Sequence, residues 1–160
     1  MLLIADSSAL IALASADSLY LLELLYTDVR VPRSVFNEVT IKTKPLAEAL
    51  HVYLEKKTVD VPMDDIIITD YSIGRGETES MILYKRLNAD LLLIDDKRAS
   101  KIAGLNNINT IGTLGVLFEA KMRGVISSIR PALVKLRNSD IYISADLCNH
   151  ILKLADEDSI

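Results

Sequence analysis

Residues 91–96 read Leu91-Leu92-Leu93-Ile94-Asp95-Asp96, four consecutive apolar residues that stop at a pair of acids. A run this short and this uniformly apolar suits a strand buried on both faces, as strands of parallel sheets are. Leu2-Leu3-Ile4-Ala5 has the same character and also ends in an acid, Asp6. Val29-Arg30-Val31-Pro32, Val59-Asp60-Val61-Pro62 and Thr110-Ile111 supply three further short strand candidates. Between them lie stretches with helix signals. Ser7 or Ser8 can cap a helix through Leu13, and the leucines from Leu19 to Leu25 form a largely buried second one. Helices are expected at Ser34–Val39 and Pro45–Lys57, with Pro45 in a first turn, where its missing N–H costs nothing. Gly74-Arg75-Gly76-Glu77 opens a helix to about Leu87, and another spans Arg98–Ala103 and stops at Gly104. Thr113 is expected to cap a helix through Lys121 that Gly124 terminates, and Ser127–Arg137 and Ser144–Ala155 make the last third helical. Strands alternating with helices predict an α/β fold. The expectation is one domain over residues 1–160, a central, mostly parallel sheet flanked by helices, and a helical C-terminal part from about residue 127.

Composition narrows the function. With 160 residues, half apolar and a quarter charged, the chain can bury a sizeable core and is neither low-complexity nor disordered. Eighteen Lys+Arg stand against 22 Asp+Glu, a net charge of −4, which excludes a globally basic nucleic-acid coat but not a local basic patch. The single cysteine, Cys148, has no internal disulfide partner, and no Cys/His spacing suits zinc. A lone thiol suits a reducing compartment, so a cytoplasmic location is expected. The longest apolar run near the start, Ala9 to Ala14, falls far short of the roughly 20 residues of a membrane span. Ala14-Ser15-Ala16 mimics a signal-peptidase site, yet no basic residue precedes it and Asp6 interrupts the apolar stretch, so these residues read as structure.

The acids carry the chemistry. In an open parallel sheet, ligands bind beyond the carboxyl ends of the strands, and Asp6 and Asp95-Asp96 stand at that edge. Glu38 lies beside the apolar stripe of Val35 and Val39, and Glu77 is in the first turn after the glycine-rich turn. Carboxylates gathered within a few ångströms need raised pKa values or a cation among them. Hard oxygen ligands without His or Cys favour Mg²⁺, which binds a few carboxylates, keeps waters and engages phosphate oxygens. The chemistry suggested is phosphodiester hydrolysis. Each acid also has a plainer reading: Asp6 as a helix cap, Asp95 and Asp96 as a cap plus a dipole acid, Glu77 and Glu79 as first-turn dipole acids, and Glu38 as one of the many glutamates that surface helices carry. For Glu79 the plainer reading is adopted.

As an ordered series, Ile4-Ala5-Asp6-Ser7-Ser8, Val35-Phe36-Asn37-Glu38-Val39, Gly74-Arg75-Gly76-Glu77 and Leu93-Ile94-Asp95-Asp96-Lys97-Arg98-Ala99 resembles the PIN-domain nucleases. The subgroup it resembles is that of small prokaryotic PIN proteins related to the toxins of toxin–antitoxin pairs. Gly112-Thr113-Leu114-Gly115-Val116-Leu117, with Ala120-Lys121 and Gly124, extends the likeness over nearly the whole chain. The resemblance implies a Mg²⁺- or Mn²⁺-dependent ribonuclease, commonly a homodimer, with RNA as substrate and an antitoxin as a further partner. Asp6, Glu38, Glu77 and Asp96 match the family's four acids, with Asp95 assisting. Ser8 matches a small hydroxyl two residues after the first acid, with helix capping an equal account, and Thr113 is a similar hydroxyl candidate for which helix capping is the better account. The toxin pattern commonly has Thr-x-Asp where this chain has Ile94-Asp95-Asp96.

Holding RNA requires basic groups near an acidic cleft. Arg75, Lys97 and Arg98 are the candidates, with Lys101, Lys42 and Lys44 as further rim charges; solvated helix-face charge is the alternative for all of them. Two Phe, six Tyr and no Trp offer little base-stacking apparatus. Tyr71 and Tyr84 could stack bases, but packing explains both better. The Leu19–Leu25 segment suits a dimer or partner surface as well as it suits a core. The rival function is a catalytically inactive PIN-like module that binds RNA or protein; a phosphoryl-transfer receiver or phosphatase fits less well.

Overall fold

The computed structural model describes residues 1–62 and 72–160. Tyr71, a candidate for base stacking, lies outside the described residues. The strands among them are β1 (Leu2–Ala5), β2 (Asp28–Pro32), β3 (Thr58–Val59), β4 (Leu91–Leu93) and β5 (Thr110–Ile111). They form an all-parallel sheet in the order β3-β2-β1-β4-β5. The apolar runs are explained by what covers them. Leu3, Ala5 and Leu93 enter one buried cluster, while the alternate residues Ile4, Leu92 and Ile94 enter a second cluster on the opposite face. With both faces covered, no position in β1 or β4 is left for a polar residue.

The chain leaves β1 through α1 (Ser7–Ser15) and α2 (Tyr20–Leu25) to β2, then through α3 (Arg33–Val39) and α4 (Ala47–Leu54) to β3. All four helices contribute to the first cluster. The direction then reverses. The crossover helix α5 (Arg75–Arg86) leads to β4 on the other side of β1, and α6 (Lys97–Leu105) leads to β5. Because crossovers keep one hand, the reversal moves α5 and α6 to the opposite face, where Met81, Ile82, Leu83, Ala99 and Ile102 build the second cluster. The helices α7 (Thr113–Met122), α8 (Arg130–Arg137) and α9 (Ala145–Leu154) return to the first. This C-terminal part is held by Glu157. It accepts hydrogen bonds from Lys121 Nζ (2.7 Å), Ser128 Oγ (2.5 Å) and the N–H groups of Ile129 (2.8 Å) and Arg130 (3.3 Å), capping the start of α8.

Several boundaries differ from expectation for local reasons. α4 starts at Ala47, because Leu46 adopts a left-handed φ of +66° and separates Pro45 from the helix. α6 continues through Gly104; Asn107, at φ +57°, ends it instead, with Asn107 N–H on Gly104 O and Ile108 N–H on Ala103 O. Gly124, at φ +72°, closes α7 in the same way, as expected. Thr113 is the first residue of α7, not its cap, and α8 begins at Arg130 rather than Ser127. Among the described residues, no helix is long and apolar enough to cross a membrane.

Candidate active site

β1 stands at the point where the crossovers change direction, and the residue that follows it is Asp6. Asp6 N–H still continues the ladder, donating to Leu93 O at 2.9 Å. Its side chain sits in the N-cap position of α1 without making a capping hydrogen bond. It is 3 % exposed. Burial pushes its pKa from an ordinary 3.8 to about 7; the N–H groups of Ser7 and Ser8 oppose the shift, and the negative charges of Glu77 and Glu38 add to it.

Those two glutamates come from separate elements. On α3, Val35 and Val39 are buried in the core, and that packing fixes the side of the helix on which Glu38 stands, at the cavity. Glu77 is in the first turn of α5. Together with Asp6 they line a cavity of about 840 Å³ at the carboxyl edge of the sheet, which Arg33, Gly76 and Arg75 also border. Gly76 explains how the acids approach. A Cβ placed there would lie 3.5 Å from Glu38 Oε2 and 3.7 Å from Asp6 Oδ1. The missing side chain leaves a small space that faces one oxygen from the end of β1 and one from α3.

Ser7 lines the same cavity, a position that the sequence reading passes over. Its buried hydroxyl donates to Glu38 Oε2 at 2.7 Å, whereas the expected Ser8 stands 3.5 Å from Asp6 Oδ2. The two-hydroxyl run after Asp6 was the available signal, but the rotation of the first turn of α1 decides which hydroxyl faces inward.

The acids after β4 are placed differently. Asp96 is the N-cap of α6, with Oδ1 accepting from Ala99 N–H at 2.7 Å. Asp95 holds Thr113 twice, through N–H to Oδ1 (2.7 Å) and Oγ1 to Oδ2 (2.6 Å). Neither lines the cavity of Asp6, Glu38 and Glu77. Of the basic candidates, Arg75 borders that cavity but is paired with Glu79 at 2.7 Å, and Glu79 is buried instead of being a solvated dipole acid. Lys97 and Arg98 are exposed, in no salt bridge among the described residues.

Among the described residues, no three His, Cys, Asp or Glu side chains form a ready metal cage. What the site offers is two hard oxygens facing a glycine-lined space, with a third carboxylate on the same cavity. That donor set fits a cation such as Mg²⁺, which binds through one or two carboxylates and keeps several waters.

Residues 2–157 match the model of a family described as a PIN domain. The chain belongs to the PIN-domain family. No curated protein matches it. PIN domains are generally nucleases that use divalent metals, so membership points to nuclease-type chemistry on nucleic acid.

Proposed function

We propose that this PIN domain is a metal-dependent endoribonuclease that hydrolyses RNA phosphodiester bonds with Mg²⁺ or Mn²⁺. The observation that carries the proposal is the convergence of Asp6, Glu38 and Glu77, from three different elements, on one cavity at the carboxyl edge of the sheet. Asp6, Glu38 and Glu77 would hold the ion, and the ion would supply charge stabilisation to the phosphoryl group and a more acidic water. Ser7 fixes the Glu38 carboxylate. Asp96 is proposed as a fourth acid through the oxygen that the α6 cap leaves open, and Asp95 as its neighbour, orienting the start of α7 through Thr113. Arg75, Lys97 and Arg98 would meet the phosphates of the strand.

A role as the toxin of a toxin–antitoxin pair, with a homodimer and an antitoxin partner, is proposed on narrower support. In α2, Leu21, Leu22 and Leu25 are core residues, whereas Tyr20 and Leu24, one turn apart, are more than half exposed and available to a partner. The test of the chemistry is RNA cleavage with and without Mn²⁺ by the native chain and Asp6→Asn, alongside calorimetric titration of Mn²⁺. Cleavage and Mn²⁺ binding that both require Asp6 support the proposal. A native chain that binds no Mn²⁺ and cleaves no RNA is instead the inactive, binding-only module.

A further inference from the structure

A second cavity, of about 290 Å³, lies close to the acids. The two share α1: Ser8 borders the acid cavity and Ala12, one helical turn later, borders the second. They also share the β1–β4 edge, because the Asp6–Leu93 ladder bond brings the end of β4, and hence Lys97, beside the end of β1. Ala12, Leu114 and Leu147 make part of its lining apolar, Lys97 adds a positive charge, and Tyr142 completes it.

Tyr142 is the most exposed aromatic ring among the described residues, at 90 %. Its neighbours Ile141 and Ile143 are partly buried and packed against the core, so the ring is held out in water by an anchored segment. A ring in that position has a face free to stack.

We propose that this cavity is a nucleobase slot for single-stranded RNA, with Tyr142 as the stacking surface and Lys97 as a phosphate contact. The proposal rests on the ribonuclease reading above, and it places the nucleotide next to the scissile phosphate one helical turn along α1. Two polar groups of the slot are engaged within the protein. Thr113 spends its N–H and hydroxyl on Asp95, and Ser144 Oγ accepts from Leu147 N–H. The exposed Tyr142 ring offers the slot a surface for the face of a base, and stacking of that kind is tolerant of base identity and selective for unpaired strands. Lys97 supplies the positive charge for a phosphate; Asp95, which also lines the cavity, keeps its negative charge but is turned onto Thr113 by two hydrogen bonds.

The test uses the full chain. Fluorescence anisotropy of a labelled single-stranded RNA is measured on Asp6→Asn, which keeps the RNA intact, with and without Tyr142→Ala or Tyr142→Phe. Cleavage is measured on the same Tyr142 variants with Asp6 native. Tyr142→Ala is expected to weaken RNA binding by roughly 5- to 100-fold, the range of a lost aromatic stack, while Tyr142→Phe stays within about 2-fold because the ring face remains. Duplex RNA should be indifferent to both changes. Native affinity and cleavage in Tyr142→Ala would overturn the slot and leave the nuclease intact, as would a variant that changes only the oligomeric state, which would make this surface a contact between proteins. An otherwise unsubstituted chain that neither binds nor cleaves RNA would overturn both readings together.

Discussion

Ser7 Oγ donates a 2.7 Å hydrogen bond to Glu38 Oε2, linking the first residue of α1 to the acid of α3 across the candidate site. The bond joins residues 31 positions apart and fixes an exposed glutamate on a short helix. Ser7→Ala should leave Glu38 free to turn into solvent. The expected result is a fall in Mn²⁺ affinity of about 10-fold, at the low end for loss of a group that orients a ligand, with stability lowered by only about 1 kcal/mol. Calorimetric titration and a urea melt separate the two effects; unchanged Mn²⁺ affinity would remove Ser7 from the site.

Asp6 gives the site a pH signature. Its pKa of about 7 in the folded chain stands well above its ordinary 3.8. Between those values the folded state keeps a proton that the unfolded state has released. The stability associated with this group is therefore fully present below pH 3.8 and is lost as pH rises through about 7. Asp6→Asn should escape that loss. In chelator, its advantage in Tm over the native chain should grow between pH 4 and pH 7 and then level off, worth on the order of a few kcal/mol. Mn²⁺ should raise the Tm of the native chain at pH 8 and leave Asp6→Asn unmoved. Parallel pH profiles for the two proteins would show that Asp6 is not a strained buried acid.

Glu157 behaves in the opposite sense. Burial alone would raise its pKa, but the hydrogen bonds from Lys121, Ser128 and the N–H groups of Ile129 and Arg130 outweigh it and hold the carboxyl at about 2, below its ordinary 4.5. Its contribution is thus present above pH 4.5 and disappears as pH falls towards 2. Glu157→Gln should lower stability at pH 7 by on the order of 2 kcal/mol and match the native chain near pH 2. Thermal melts across that range check it, and RNA cleavage below the Tm should be unaffected.

Much of this architecture is legible in the sequence, because burial on both faces leaves an unmistakable apolar run in β1 and β4. Asp6 is legible as the residue that stops such a run, whereas Glu38, beside Asn37 on a helix face where glutamate is common, is marked only by the family resemblance. What the sequence hid depends on geometry across distance. Nothing local marks Leu46 as the residue that turns left-handed before α4, since no glycine stands there. The pairing of Asp95 with Thr113 spans 18 residues and exists only because β4 and β5 lie side by side. Tyr142 looked unremarkable in a chain with six tyrosines; its exposure comes from the two flanking isoleucines being drawn into the core.

The acids after β4 can be separated by one conservative change each. Asp96→Asn retains a side-chain oxygen for Ala99 N–H, and Asn caps helices as well as Asp, so stability should change by less than about 0.5 kcal/mol. A fall in RNA cleavage in that folded variant would identify Asp96 as the fourth acid. Asp95→Asn instead replaces one of the two oxygens that hold Thr113 with an amide. It should cost about 1–2 kcal/mol and leave Mn²⁺ affinity nearly unchanged. The reverse pattern, with Asp95→Asn abolishing Mn²⁺ binding, would exchange their roles.

Gly76 gives the sharpest opposition between stability and function. As the second residue of α5 it is a poor helix former, and alanine there should stabilise the helix by up to about 1 kcal/mol. The added Cβ meets Val35 Cγ2 at 3.4 Å, an ordinary contact, so the fold accommodates it. The same methyl group would occupy the space that Asp6 Oδ1 and Glu38 Oε2 face at 3.7 and 3.5 Å. Gly76→Ala is therefore expected to melt at the native temperature or above while binding Mn²⁺ at least about 10-fold more weakly and losing RNA cleavage in proportion. If the variant binds Mn²⁺ as tightly as the native chain, the ion does not sit between these two acids, and the site proposed for it is wrong.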